Sequence, residues 1–333
     1  MHNPLSGLHC PDFRFRLQHR ALSHRSLYLP LEMKYNSKIQ RLLKGESLLS
    51  VFNACTIESA RQAFDELRYY YDFAFWAAKK YYIRDREDAD NIIPLFLNNF
   101  QHYFIDIIQK RFYNQQLGRY IITKSFGKVG VTTCIQAYIL WMQTYRYYKH
   151  SYTCSASDIS IHPLKSNLCR YLHRDIVPSE KMIFIPTAGR KAFFNTFRSP
   201  DYIRGIDLGY VHYADMSRWH DPDDNNASRA YSAATSAVLM SFDTLVILEG
   251  NIPKEEKFQM EKHQSFAIPY HIRLKLLEHL TNNPFFLDHV AMANTPNIYD
   301  SHLLHINLDH TYKDSKRIRI LPLPTKAQPI CHS

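Results

Sequence analysis

The chain has 333 residues, 45% of them hydrophobic, with 23 tyrosines and 20 phenylalanines against 9 glycines; this excludes a disordered chain and allows one large or two ordinary domains. Its 41 Lys and Arg against 31 Asp and Glu give a formal charge of +10, which points to a polyanionic partner such as nucleic acid or simply to a basic surface. The six cysteines are scattered without a Cys-x-x-Cys pair, as in a reduced, cytoplasmic protein, and no apolar run reaches the ~20 residues of a membrane span.

Residues 1–45 read as an irregular basic extension: Arg14, Arg16, Arg20 and Arg25 accumulate without the apolar core of a signal peptide. A transit peptide is the alternative. Residues 46–118 read as helical, because "IESARQAFDELRYYYDFAFWAAKKYYI" repeats apolar and aromatic residues at three- and four-residue spacing. In the next helical stretch, "IIPLFLNNFQHYFIDIIQKRFY", Pro94 is placed to break or start a helix. Residues 119–255 alternate helical segments with the apolar runs "RYIIT", "SYTCS", "MIFIP", "LGYVHYA" and "DTLVILE". Continuous rather than alternating apolar runs are what a parallel sheet covered on both faces requires, so the class is α/β. Residues 256–333 hold one predicted helix, "IPYHIRLKLLEHLTNN", and end in a basic tail.

The stretch "RYIITKSFGKVGVTTCIQAYILW" runs strand, glycine-containing loop, helix. Aligned on a phosphate-binding loop, Ser125 takes the first position, Gly130 the second glycine, Val131 the lysine slot and Thr132 the hydroxyl that ligates Mg²⁺. Lys128, then Lys124, are the nearest cations to replace the missing lysine. The alternative is an ordinary helix start after a glycine turn, with Thr132 and Thr133 as caps. Two downstream apolar strands end in acids, Asp215 and Glu249, where a nucleotide-hydrolysing site places its carboxylates.

With these segments in order, the chain over roughly residues 70–255 resembles the ATPase part of the large terminase subunit of tailed bacteriophages. "IIPLFLNNFQHYFI" is similar to the family's adenine-reading segment with Gln101 as its glutamine, "KSFGKVGVTT" to its deviant phosphate loop, "IRGIDLGYVHYAD" to its Arg-Gly pair, strand and acids, and "TLVILEGN" to its coupling segment. The resemblance implies a P-loop NTPase (RecA/ASCE-like) fold, a mostly parallel sheet flanked by helices. An N-terminal helical lid over residues 46–118 and an ATPase core over 119–255 belong to that expectation. It implies ATP and Mg²⁺, with Lys124, Ser125, Phe126, Gly127, Lys128, Val129, Gly130, Val131, Thr132 and Thr133 around the phosphates and Thr132 and Asp215 on the metal. Asp215, Glu249 and Lys128 become the catalytic set, and Arg204, Gly250 and Asn251 the sensor and coupling residues. Asp215 is expected to meet the Gly130 turn across neighbouring strand ends.

The implied partners are double-stranded DNA, a portal protein and a small terminase subunit. The implied assembly is a ring of copies in the cytoplasm of a bacterial host, with the chain encoded by a phage or prophage. Three departures stand out. Val131 replaces the lysine, Ala214 replaces the first acid of the pair, and residues 257–333 are too short for the family's nuclease domain. The second expectation is therefore a truncated prophage remnant that holds DNA without hydrolysing ATP. A helicase, which needs a second motor domain, ranks third. Cys154, His162, Cys169 and His173 carry metal-ligand residue types without the spacing of a common metal site, and His302, His305, Asp309 and His310 form the kind of cluster that arises easily in a chain with 18 histidines. "DELRYYYDFAFWAAKKYY" mixes bases and aromatics as stacking surfaces do, yet its helical spacing fits a packed helix better.

Overall fold

The computed structural model describes residues 14–22, 27–85, 88, 90–124, 130–199, 203, 205–219, 229–230, 233–234, 236–238, 241–251, 304–308 and 319–322. Residues 125–129, Arg204, residues 220–228 and the helix predicted over 268–283 lie outside the described residues. No helix among those described is long and apolar enough to cross a membrane.

Among its described residues the N-terminal segment is not irregular. β1 (Arg14–Leu17) and β2 (Leu27–Pro30) form an antiparallel pair, followed by a 3₁₀ turn at Leu31–Tyr35 and by α1 (Ser37–Leu43). Leu17, Leu29, Met33, Ile39 and Leu42 pack with Val51 and Phe64 into a small core of their own. Elements of four to seven residues are too short for a periodicity reading, which is why the pattern passed as loop.

The helical expectation over 46–118 holds in outline: α2 (Leu48–Phe52), α3 (Ile57–Tyr71), α4 (Phe73–Lys80) and α5 (Asn99–Tyr113). Asp72 divides α3 from α4: its backbone is extended, and its buried carboxylate caps α4 while pairing with Arg68 at 2.9 Å and Arg14 at 3.5 Å. Pro94 neither starts nor breaks a helix. It ends β4 (Ile92–Pro94), which pairs with β3 (Tyr82–Arg84), and α5 starts five residues later.

The central sheet has eight strands in the order β12-β11-β5-β10-β9-β6-β8-β7. These are β5 (Gly118–Lys124), β6 (His150–Ser155), β7 (Met182–Ile185), β8 (Arg190–Thr196), β9 (Leu208–Tyr213), β10 (Leu245–Asn251), β11 (Leu304–Leu308) and β12 (Arg319–Pro322). The six inner strands are mutually parallel, and both edge strands are antiparallel. "MIFIP" was expected among the parallel strands. It instead turns back through Pro186–Gly189 onto β8, a strand whose polar ends had hidden it. β11 and β12 come from the C-terminal segment, β12 from its basic tail, so the sheet extends beyond residue 255.

α6 (Val131–Tyr145) and α7 (Asp158–Tyr171) lie on one face with α4 and α5, over Tyr120, Ile122, Tyr210, Leu245 and Ile247. The opposite face carries Tyr152, Cys154, Val211, Tyr213, Val246 and Leu248 under Trp219, Ala230 and Ala234. α6 is buried along nearly its whole length, as a helix apolar all round must be. Its one central polar side chain, Gln136, reaches Thr153 and His212 at 2.7 Å each, locking the helix over β6 and β9. Cys154 and Cys169 fall in separate cores on the two faces of the sheet.

Candidate functional site

The site forms where the strand order reverses. From β5 the chain runs through α6 to β6, three places along the sheet, whereas β11 takes the place on the other side of β5. In open parallel sheets that reversal leaves a crevice outside the carboxyl ends of the strands, the usual place for a ligand. Gly130 stands there as the N-cap of α6 in the left-handed region (φ 70°, ψ 19°), which glycine enters without strain. α6 thus begins with no side-chain cap, its first N–H groups directed toward the edge.

Strand parity decides what faces that helix start. On β10, Leu245 and Ile247 point to the α6 face, so Glu249 does too. Glu249 is fully buried, and the Thr132 hydroxyl donates to its Oε1 at 2.5 Å. β5 and β10 are direct neighbours, with Glu249 opposite Ile122, Gly250 opposite Thr123 and Asn251 opposite Lys124. Gly250, Asn251 and Lys124 therefore lie on the same edge, one strand apart.

Asp215 reaches this edge from farther off. β10 stands between β9 and β5, so the expected meeting of Asp215 and the Gly130 turn across neighbouring strand ends does not occur. The acid on the strand next to β5 is Glu249, which meets Thr132 in the first turn of α6. Asp215 lies two residues beyond Tyr213, the partner of Leu248, and therefore projects from the same end of the sheet. It adopts a left-handed conformation (φ 54°) and its Oδ2 is 3.2 Å from Nε of Arg218. Its turn is fixed from below: Trp219 donates from its indole to the Ala214 carbonyl at 3.1 Å and stacks on Phe197. Ala214, in the position of the missing first acid, is buried.

Val131 occupies the lysine slot with its side chain buried in the main core. At this point of α6 the side chain faces the sheet's interior, so a lysine here would bury its charge in an apolar cluster. Thr132 and Thr133, the next two positions, are half-buried. Cys134, one turn into α6, is buried and its thiol is pushed well up by desolvation, so it stays protonated and inert. Ser125, Phe126, Gly127, Lys128, Val129 and Arg204 lie outside the described residues.

Gln101 is also at the Gly130 turn. It is the third residue of α5 and makes a reciprocal cap with Asn98: the Gln101 amide N–H donates to Asn98 Oδ1 at 3.0 Å and the Asn98 N–H donates to Gln101 Oε1 at 2.9 Å. Its Nε2 donates to the Gly130 carbonyl at 2.9 Å. The spacing Asn-x-x-Gln is a helix-start signal legible in "NNFQ". The Thr132–Glu249 bond had no such local signal, because it joins residues 117 positions apart.

No family model matches the chain, and no curated protein matches it at a significant level.

Proposed function

We propose that the chain is an ATP-hydrolysing motor subunit of the large-terminase kind, moving double-stranded DNA into a phage procapsid. The observation that carries the reading is the Thr132 hydroxyl held on the buried Glu249 carboxylate, beside a helix start capped by Gly130 with no side-chain bond, at the carboxyl edge of parallel strands. A hydroxyl that donates its proton to a carboxylate keeps its oxygen lone pairs for a metal. Thr132, with Glu249 and Asp215 on the same edge, makes a hard oxygen set of the type Mg²⁺ prefers. Mg²⁺ would supply charge neutralisation on the β- and γ-phosphates.

The remaining work belongs to the chain. The N–H groups at the start of α6 hold phosphate oxygens. Glu249 orients Thr132, and Glu249 or Asp215 accepts the proton of the attacking water. Lys128 is assigned the compensating positive charge, and Gly250, Asn251 and Arg204 the coupling of hydrolysis to movement. Neighbouring copies in a ring complete the site with arginine.

Hydrolysis of γ-labelled ATP with Mg²⁺ and linear duplex DNA tests this. Glu249→Gln is expected to lower turnover at least a hundredfold, and Asp215→Asn, which keeps the left-handed backbone accessible, at least tenfold. A wild-type chain without turnover removes the motor reading. Turnover that survives in both variants removes these acids from it.

Val131 supports a second reading, a remnant that binds DNA but not nucleotide, since its buried side chain puts nothing cationic where the loop's lysine normally sits. Calorimetric titration with ATP and Mg²⁺ separates the two: tight, Mg²⁺-dependent binding rules out the remnant.

A further inference from the structure

The Gly130 carbonyl receives two hydrogen bonds. One comes from the Cys134 N–H at 3.0 Å, the first bond of the α6 ladder, and the other from Gln101 Nε2 at 2.9 Å. Gln101 is only 4% exposed. Its neighbours also settle which amide atom is which, because an N–H of Asn98 faces the oxygen and a carbonyl faces the nitrogen. A Cβ placed on Gly130 would lie 2.6 Å from Gln101 Nε2, so the two residues are in close contact with no room to slide. The side chain therefore bridges two helix starts, that of α5 through Asn98 and that of α6 through Gly130.

We propose that Gln101 is a positioning residue of the α6 start: by holding the Gly130 carbonyl it sets the first turn of α6 and the direction of Thr132, and ties the start of α5 to the start of α6 when nucleotide arrives. This differs from the adenine-reading role that the resemblance implies, and it rests on the nucleotide reading of the Gly130 edge. A base reader discriminates between purines. A strut treats every triphosphate alike.

Gln101→Glu isolates the bridge. Glutamate is a normal partner in a reciprocal cap, so the bond from the Asn98 N–H survives, while the donor to Gly130 is replaced by a carboxylate facing a carbonyl. Gln101→Ala loses both ends. With Mg²⁺ and either ATP or GTP, both variants are expected to lose roughly tenfold in kcat, with the ATP-to-GTP ratio of kcat/KM as in the wild type. Hydrogen exchange at the Cys134 amide should quicken in both variants, and at the Asn98 amide in the alanine variant alone.

A glutamate variant with wild-type kinetics and wild-type Cys134 exchange would reduce Gln101 to a cap of α5 and overturn the proposal. A collapse of the ATP-to-GTP ratio would overturn it in favour of base reading. If the wild-type chain turns over neither nucleotide, the motor reading falls by itself, and the bridge is judged by exchange: quickening at Cys134 in the glutamate variant supports it, and unchanged exchange there overturns it.

Discussion

At the level of single residues, the contact between Thr132 and Glu249 separates Thr132 from a residue that only caps a helix. A threonine that only capped α6 would accept from backbone N–H groups, whereas here Gly130 is the cap and Thr132 donates across to another strand. Thr132→Val keeps shape and β-branching but takes the donor away from a buried carboxylate. The expected cost is about 1–3 kcal/mol of stability, read as a lower urea midpoint, together with loss of turnover. Thr132→Ser should stay near wild type in both. A valine variant as stable as the wild type would show that Glu249 does not depend on this hydroxyl. The isolated motif could not reveal the pairing, since the strand parity that turns Glu249 toward α6 acts only once β10 is seated beside β5.

Among elements, α5 joins the candidate site to the N-terminal hairpin. Its first turn holds Gly130 through Gln101, and farther along Asp106 approaches the charge group of Arg14 and Asp72. Burial pushes the Asp106 carboxyl up to about 6, with Arg14 opposing and Asp72 reinforcing the rise. Burial alone would also raise Asp72, but Arg14 and Arg68 outweigh it and hold that carboxyl below the usual range.

The two acids therefore act in different pH windows. Between about pH 4 and 6 the folded chain keeps a proton on Asp106 that the unfolded chain releases, so stability falls as pH rises through this window. Above pH 6 the penalty is complete, on the order of 3 kcal/mol. Asp72 contributes stability above its ordinary range and loses it only at lower pH. Asp106→Asn should thus raise the urea midpoint at pH 7.5 and flatten the profile between pH 4 and 6, while a parallel profile would show Asp106 already ionised when folded. α5 also marks where the sequence was legible. The aromatic periodicity of α3 to α5 and the apolar runs of β5, β6, β9 and β10 could be read locally, because each buries a continuous face. The split of α3 from α4 could not, since the buried Asp72 that caps α4 is held by Arg68 and also by Arg14 from 58 positions earlier.

For the molecule as a whole, the parts that no local pattern announces are those that need distant partners. β11 makes sense as a strand only beside β5, and the Arg14–Pro30 hairpin acquires a core only from α2 and α3. The excess of +10 charge, in contrast, is a property of the whole chain and was visible from composition. It leads to the prediction that separates motor from remnant. Charge-driven contact with duplex DNA releases counterions, so a surface that neutralises about six phosphates loses on the order of a thousandfold in affinity between 50 and 200 mM salt. Fluorescence anisotropy with a labelled 30-base-pair duplex should show that steep dependence in the wild type and equally in Glu249→Gln, because Glu249 is buried at the strand edge and contributes nothing to the surface. ATP turnover should rise when the duplex is added to the wild type and be absent in the variant. Steep salt dependence without turnover in either form describes the remnant. Binding that ignores salt removes DNA as the partner, because a phosphate backbone cannot be held by lysine and arginine without releasing its counterions.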